Sequence, residues 1–524
     1  MGPGAAPTEG HAAHTSAPPA SSRRSRDTVI CILLGLVAFV IYNANLRAIS
    51  AVDTYAARYL PFSIWRHQTL VLDPIASAVA QGRTMPDTAR WIVKGRDGHL
   101  VSLYPIVGPV IVAPLYLPAV IYLEQTGWDP QQFDQIARIM EKVCASLLAA
   151  VSVMLVYLLL RRRSDPAIAI LLALVFAFGT TTWVIASQAL WLHGLGELSI
   201  AATLLLITGP CSPLRAFAAG FFCALAACNR QPDAILAAGL GLYALWWAGR
   251  RVPLFLAAGA IPVALVLAYN LGVVGHVAGA YALGYRPAFI RGDVLAGISG
   301  LLFSPTHGLF VFSPFLLFVP FLLPRALRDH KTRGLTAAIG GAVLLQLIVY
   351  GVADWRQGVS FGPRWLTDML PMLFWLLPPV VVALSTAGRA AFGLACGVAV
   401  AIELVGAFWY TGASDATVAA AQGPHRMSAA WDIRNASFIA ELSHPPVPAD
   451  LLVDVRGYVD LVTVRNGGEN VGRHVEIQGW ALTNSRSPAD VVVAVDGIAT
   501  AGTNSFFDRP DVARTLGEIG RAHV

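Results

Sequence analysis

The sequence predicts a polytopic α-helical membrane protein of about eleven transmembrane helices, followed by a small β-rich domain. Three observations carry this fold class. Of 524 residues, 56% are hydrophobic and only 13% are Asp, Glu, Lys or Arg, against about 25% charged in an average soluble domain. A mean hydropathy of +0.61, with 13 Trp and 23 Phe, exceeds what globular cores of roughly 100 to 200 residues can hide, so lipid must take up the excess. The net charge is +6, yet the chain up to Tyr410 is basic, with 28 basic and 18 acidic residues, and the remainder is acidic, with 9 and 13. The two parts therefore face different surroundings.

The elements follow in order. Residues 1–27, rich in Ala, Pro, Ser and Gly and ending in Arg23, Arg24 and Arg26, form a disordered cytosolic leader. The apolar run 28–46 is longer than the roughly 7–15 residues of a signal-peptide core and is read as an anchor. Further runs of near-spanning length lie at 138–160, 167–186, 194–207, 216–228, 233–248, 252–270, 300–323, 335–350, 366–384 and 390–410. Residues 103–123 are as apolar but contain Pro105, Pro109, Pro114 and Pro118, which interrupt a helical hydrogen-bond ladder. Read as an interfacial or re-entrant segment, it leaves eleven crossings. Arg161 to Arg163, Arg215, Arg250, Arg251, Arg325 to Arg333 and Arg389 then fall on the leader's side, as short basic loops should. The opposite, extracytoplasmic side of what we expect to be a bacterial cytoplasmic membrane receives the large first loop 47–137, short loops near His193 and Arg230, and segments 271–299 and 354–365.

From Thr411 onward the apolar density drops. VEIQGWALTN and ADVVVAVDGIAT read as strands, the second with an Asp-Gly turn, in an extracytoplasmic β-rich domain over 412–524. Trp480 is its lone candidate sugar platform, so a spacer or scaffold role is the simpler expectation. The final IGRAHV resembles a translated sequencing adaptor, which predicts non-native residues at 519–524 and a truncated domain.

The six cysteines, at 31, 144, 211, 223, 228 and 396, are scattered through apolar runs and imply neither disulfides nor a metal framework. Basic residues lie in short loops rather than on one face, which excludes a nucleic-acid partner.

Ionisable groups at membrane depth cost about 2.5 to 3.5 kcal/mol and need a reason. Asp53, in AVDTYAARYLP just after the first span, is the leading candidate, with Arg58 five residues on. In DWRQGVSFGPRWL, Arg364 stands before the next span, able to present a fork of donors to phosphate or carboxylate, or to anchor at the interface beside Trp365. His193 in SQALWLHG, Arg230 in CNRQPD and His307 in FSPTHGLFVFSP are further candidates. Arg286 and Arg291 belong to a loop that could equally lie on lipid headgroups.

With these residues in view, the chain over most of 28–411 resembles the GT-C superfamily of membrane glycosyltransferases, of the protein O-mannosyltransferase and lipid A aminoarabinose transferase type. The resemblance rests on Asp53 after the first span, SLYPIVGPVIVAPLYLP, WLHG, NRQPD, FSPTHGLFVFSP and SFGPRWLTDMLP. It implies a polyprenyl-phosphate sugar donor, an acceptor hydroxyl on a glycan, lipid or protein, Asp53 as catalytic base, and Arg364, Arg58 and Arg230 as holders of the carrier phosphate, with His193 and His307 nearby. A single base attacking opposite the leaving phosphate implies inversion. Many relatives carry two adjacent acids in this loop, whereas Thr54 follows Asp53 here; that counts against a metal-dependent variant, not against single-base chemistry. No cofactor beyond the donor is implied.

A transporter or lipid flippase is the alternative, favoured by Glu197 and Glu403 within predicted spans. The absence of an internal repeat and the placement of the strongest polar residues in loops weigh against it. A non-catalytic assembly protein is a third reading.

Overall fold

The structure is a computed structural model that describes residues 20–81, 91–284, 293–356, 358, 360–412, 414, 415, 418, 425–443, 455–465, 474–483, 491–495 and 498–503. Arg286, Arg291 and the suspect 519–524 lie outside the described residues. The first helix, α1 (Ala20–Asn43), begins before the apolar run, so residues 20–27 are helical, and Asp27 Oδ1 pairs with Arg161 Nε at 2.9 Å.

The first loop builds its own layer. Helices α2 (Val52–His67) and α3 (Asp73–Gln81) precede a short antiparallel pair, β1 (Ile92–Lys94) and β2 (Leu100–Ser102). The proline-rich segment then runs as α4 (Val107–Val112), a 3-10 turn Ala113–Tyr116 and α5 (Leu117–Thr126). Pro114 and Pro118 fall in first turns, where a missing N–H costs nothing. This segment lies along α2: Trp65 Nε1 donates to the Ala113 carbonyl at 2.6 Å, and Phe62 meets Tyr116 edge to face at 5.1 Å. Tyr59, Phe62, Trp91, Tyr116 and Phe133 fill a core separate from that of the helical bundle.

The bundle follows as α6 (Pro130–Arg161), α7 (Pro166–Phe178), α8 (Leu192–Ile207), α9 (Pro213–Asn229), α10 (Ala234–Ala248) and α11 (Val252–Tyr269). Asp165 and Ser212 cap α7 and α9, each followed by a proline in the first turn. Gly220 lets α9 and α11 touch backbone to backbone, since a Cβ there would collide with the Phe255 carbonyl. A four-residue helix α12 (Tyr281–Gly284) precedes the span whose apolar run in the sequence covers 300–323. It starts earlier, at α13 (Val294–Phe303) capped by Asp293, breaks at Ser304–Gly308, and resumes as α14 (Leu309–Phe312), a 3-10 turn and α15 (Phe318–Ala326). Helices α16 (Arg333–Val352), α17 (Leu370–Ala383) and α18 (Thr386–Trp409) complete it.

Among the described residues seven segments are long and apolar enough to cross a membrane, one of them containing both α10 and α11, and four shorter apolar helices accompany them. Large apolar side chains such as Val40, Leu265, Leu344 and Leu394 face outward, as lipid contact requires. The basic loops gather at one end: near the Asp27–Arg161 pair, Arg162 Nη1 donates to Thr208 Oγ1 at 2.6 Å and Arg251 Nη1 to the Cys211 carbonyl at 3.1 Å. The first-loop layer caps the other end.

Beyond α18 the chain stays helical at His425–Trp431 and Ser437–Ala440, tied to the bundle where Ser304 Oγ donates to the Ala430 carbonyl at 2.8 Å. Among the described residues beyond α18, β3 (Val455–Arg465) pairs antiparallel with β4 (His474–Thr483), and β5 (Val491–Val495) with β6 (Ile498–Thr503).

Candidate active site

Asp53 sits in the first turn of α2, where a carboxylate complements the helix dipole. Tyr104 donates its hydroxyl to Asp53 Oδ1 at 2.8 Å, and Arg364 Nη1 donates to Oδ2 at 2.8 Å. The aspartate side chain remains 32% exposed whereas the arginine is 10% exposed, so the carboxylate stays reachable while its cation is held in the protein.

Arg364 is placed by its own sequence. Gly362 adopts φ +66°, and a Cβ there would press on Phe312 Cδ1 at 2.7 Å; Pro363 then fixes the entry to the 3-10 turn Arg364–Met369. The guanidinium lies over the Trp191 ring, 4.6 Å from its centroid.

The next layer is a buried polar cluster. His193 Nδ1 meets Asp368 Oδ2 at 2.5 Å, and Arg230 Nη1 reaches Asp368 Oδ2 at 3.1 Å, Asp233 Oδ1 at 3.0 Å and the Tyr350 hydroxyl at 2.6 Å. Asn229 Nδ2 donates to the Leu192 carbonyl at 2.6 Å, joining the ends of α9 and α8. Gly196 makes room for the two aspartates, since a Cβ there would lie 2.9 Å from Asp233 Oδ2 and collide with Asp368 Oδ1. One turn into α8, Glu197 accepts from Thr182 Oγ1 at 3.1 Å, on a wide π turn at Thr182–Ala186.

His307 belongs to the break between α13 and α14. Its Nδ1 meets Thr306 Oγ1 at 2.8 Å, and Nε2 lies 4.0 Å from Asp415 Oδ1. Burial pushes the Asp415 carboxyl up to about 8; the Tyr410 hydroxyl bonded to it works the other way and Glu441 adds to the rise.

Arg58 departs from expectation. Five residues along a helix is a rotation of about 140° away from Asp53, and the side chain turns inward, 4% exposed, onto Glu141 Oε2 at 2.7 Å. Burial opposes its charge, but Glu141 and Tyr59 outweigh burial and raise its pKa. The structure thus pairs Arg58 with Glu141, where it clamps α2 to α6, and does not bring it to Asp53.

Motifs distant in sequence thus meet at one end of the bundle: Asp53, Tyr104 from the proline-rich run, Trp191 and His193 from WLHG, Arg230 and Asp233 from NRQPD, and Arg364 and Asp368 from FGPRWLTD. Tyr104, Asp233, Asp368 and Tyr350 were missed by sequence reasoning. Asp368 had a signal, being an acid within the apolar run 366–384; a tyrosine among prolines carries none.

Tyr104 also walls a mainly apolar cleft of about 230 Å³ between the 102–107 segment, the C-terminal half of α11 and residues 277–281. Val263, Leu267 and Val277 on its rim are exposed. Among the described residues no group of three or more His, Cys, Asp or Glu side chains is placed to hold a metal ion.

No protein-family model and no curated protein matches the chain. Its backbone is similar to two solved structures of ArnT from Cupriavidus metallidurans. The apo form gives a TM-score of 0.44 at 12% identity, covering 80% of this chain and 75% of that one. The form bound to undecaprenyl phosphate gives 0.45 at 13%, covering 81% and 78%. At this distance the function has to be argued from the chain's own residues.

Proposed function

We propose that the protein is a membrane glycosyltransferase that moves a sugar from a polyprenyl-phosphate carrier to an acceptor hydroxyl, with inversion, on the extracytoplasmic face. The observation that carries this reading is the Asp53 carboxylate, partly open, held between the Tyr104 hydroxyl and the Arg364 guanidinium at 2.8 Å each, beside a mainly apolar cleft with exposed apolar residues on its rim.

In this mechanism the acceptor hydroxyl loses its proton to Asp53 as its oxygen attacks the anomeric carbon. Tyr104 and Arg364 orient the carboxylate for that transfer. The bond from the anomeric carbon to the carrier phosphate breaks, and the leaving phosphate departs with its electron pair and negative charge. Arg364, fixed over Trp191, is preplaced to stabilise that charge without reorganising. Arg230 and His193 act one layer deeper: bound to Asp368 and Asp233, they set the end of α8 and the turn carrying Arg364 rather than touching the donor. The cleft walled by Tyr104 would take the first isoprene units of the carrier.

The test is to incubate the purified protein in lipid with radiolabelled polyprenyl-phosphate sugars and follow label leaving the carrier. The reading requires Arg364-dependent and Asp53-dependent release; movement of intact labelled carrier across the membrane without release would establish the transporter instead.

A further inference from the structure

A second cavity, of about 280 Å³, shares Trp191 with the Arg364 site and is walled by Arg47, Ser50, Trp191, Ser360, Tyr410 and Thr411 among others. Arg47 is its only ionisable cation among the described residues. Among the described residues the side chain has no hydrogen-bond or ion-pair partner, and two of its nitrogens, Nε and Nη2, are buried. Arg47 is half-buried, and guanidinium nitrogens buried without an acceptor are costly; burial lowers its pKa, with only partial compensation from Glu441.

The neighbouring acids do not complete it. Glu441 spends its oxygens on Thr411 N and Oγ1, at 2.7 and 2.6 Å, and on Ser414 N and Oγ, at 3.1 and 2.7 Å. Glu141 is taken by Arg58 and by Ser50 Oγ at 2.8 Å. Lys142, the other nearby cation, donates to Gln188 Oε1. The cavity thus has a surplus of positive charge and unused donors, which is what an anion site needs. Trp191 is the shared wall: it lines this cavity and carries Arg364 on its ring, so a ligand held here is one indole away from Asp53.

We infer that this cavity binds a phosphate or carboxylate group, with Arg47 as its principal donor, and that the group belongs to the acceptor, so that the acceptor is an anionic molecule whose hydroxyl is presented across Trp191 to Asp53. The assignment to the acceptor rests on the glycosyltransferase reading; the anion site itself does not.

The experiment separates the two. The full chain is placed in phosphatidylcholine nanodiscs and titrated with inorganic phosphate, and separately with acetate, by calorimetry. An Arg364→Ala background leaves the Arg47 cavity as the site measured. Saturable one-to-one binding is expected there, weakened at least about tenfold by Arg47→Gln and held within a few fold by Arg47→Lys, which keeps the charge and serves where the glutamine variant fails to fold. Equal affinity in the Arg47→Gln and parent proteins, or no saturable binding, overturns the site. Repeating the titration in phosphatidylglycerol nanodiscs distinguishes sources: loss of phosphate binding there means a lipid headgroup occupies the cavity, and unchanged binding means a soluble anion or anionic glycan does. In sugar transfer, Arg47→Gln should raise the KM for an anionic acceptor about tenfold and leave the donor KM unchanged. An unchanged acceptor KM refutes the acceptor assignment. Absence of any transfer by wild-type protein, with Arg47-dependent binding intact, refutes the glycosyltransferase reading alone.

Discussion

Arg364→Ala is the perturbation whose size follows most directly from the site. The substitution removes the 2.8 Å hydrogen bond to Asp53 and the cation over Trp191. A hydrogen bond to a charged group is worth about 1.5–3 kcal/mol, and a cation–π contact at a desolvated site up to about 2 kcal/mol. Because the Asp53 side chain is 32% exposed, water recovers part of the first contribution, so ground-state stability should fall by only about 1–3 kcal/mol. The catalytic loss should be larger, since the leaving phosphate loses its preplaced donor: removing one such donor costs about 10² to 10³ in rate. Transfer from a radiolabelled polyprenyl-phosphate sugar, measured across donor concentrations in nanodiscs, should therefore show kcat/KM for the donor down by that factor. Arg364→Lys should recover only part, because an ammonium lacks the planar fork that lies on Trp191. Donor saturation and turnover unchanged in Arg364→Ala would return Arg364 to an interfacial anchor and refute the reasoning.

Other consequences are local. Arg58→Met leaves Glu141 buried without its cation and should destabilise the protein by about 3–5 kcal/mol, seen as a lower unfolding temperature; Arg58→Met combined with Glu141→Gln should regain much of the loss, and lack of any rescue would contradict the clamp. Gly196→Ala drives a methyl into Asp368 and Asp233; since His193 and Arg230 hold Asp368 in place, activity should drop at least tenfold, with a stability loss of about 1–3 kcal/mol, whereas wild-type turnover would show that the cluster yields freely. Asp415, with its carboxyl raised to about 8, keeps a proton when folded that it loses when unfolded, so its stabilising contribution is full below about pH 4 and is lost as pH rises to about 8. Asp415→Asn should flatten that part of the pH profile of unfolding temperature; an identical slope in both proteins would contradict the assignment.

Most of the helical frame was legible because a lipid-facing helix must be apolar for its whole length, and that signal needs no partner. It was least legible where the helix is not continuous. The run at 300–323 looks uniform in hydropathy, yet Ser304 and Thr306 break it by bonding the Ala430 carbonyl, a contact with a segment more than a hundred residues away. Asp53 and Arg364 stood out as charged groups beside spans, and nothing local indicated that they would meet across 311 positions. Proximity to Asp53 along the chain does not fix where Arg58 points, because helical phase turns it toward Glu141. Its inward turn is recoverable from the sequence: Tyr59 and Phe62, buried in the first-loop core, mark the packed face of α2.

The most direct measurement is single-turnover transfer by Asp53→Asn in lipid with a polyprenyl-phosphate sugar and a hydroxyl acceptor. Asparagine keeps the shape and an acceptor for Tyr104 and Arg364 but is not a base. The account expects a protein that unfolds near the wild-type temperature, binds donor, and transfers sugar slower by about 10² to 10⁴. Transfer at close to the wild-type rate would contradict it.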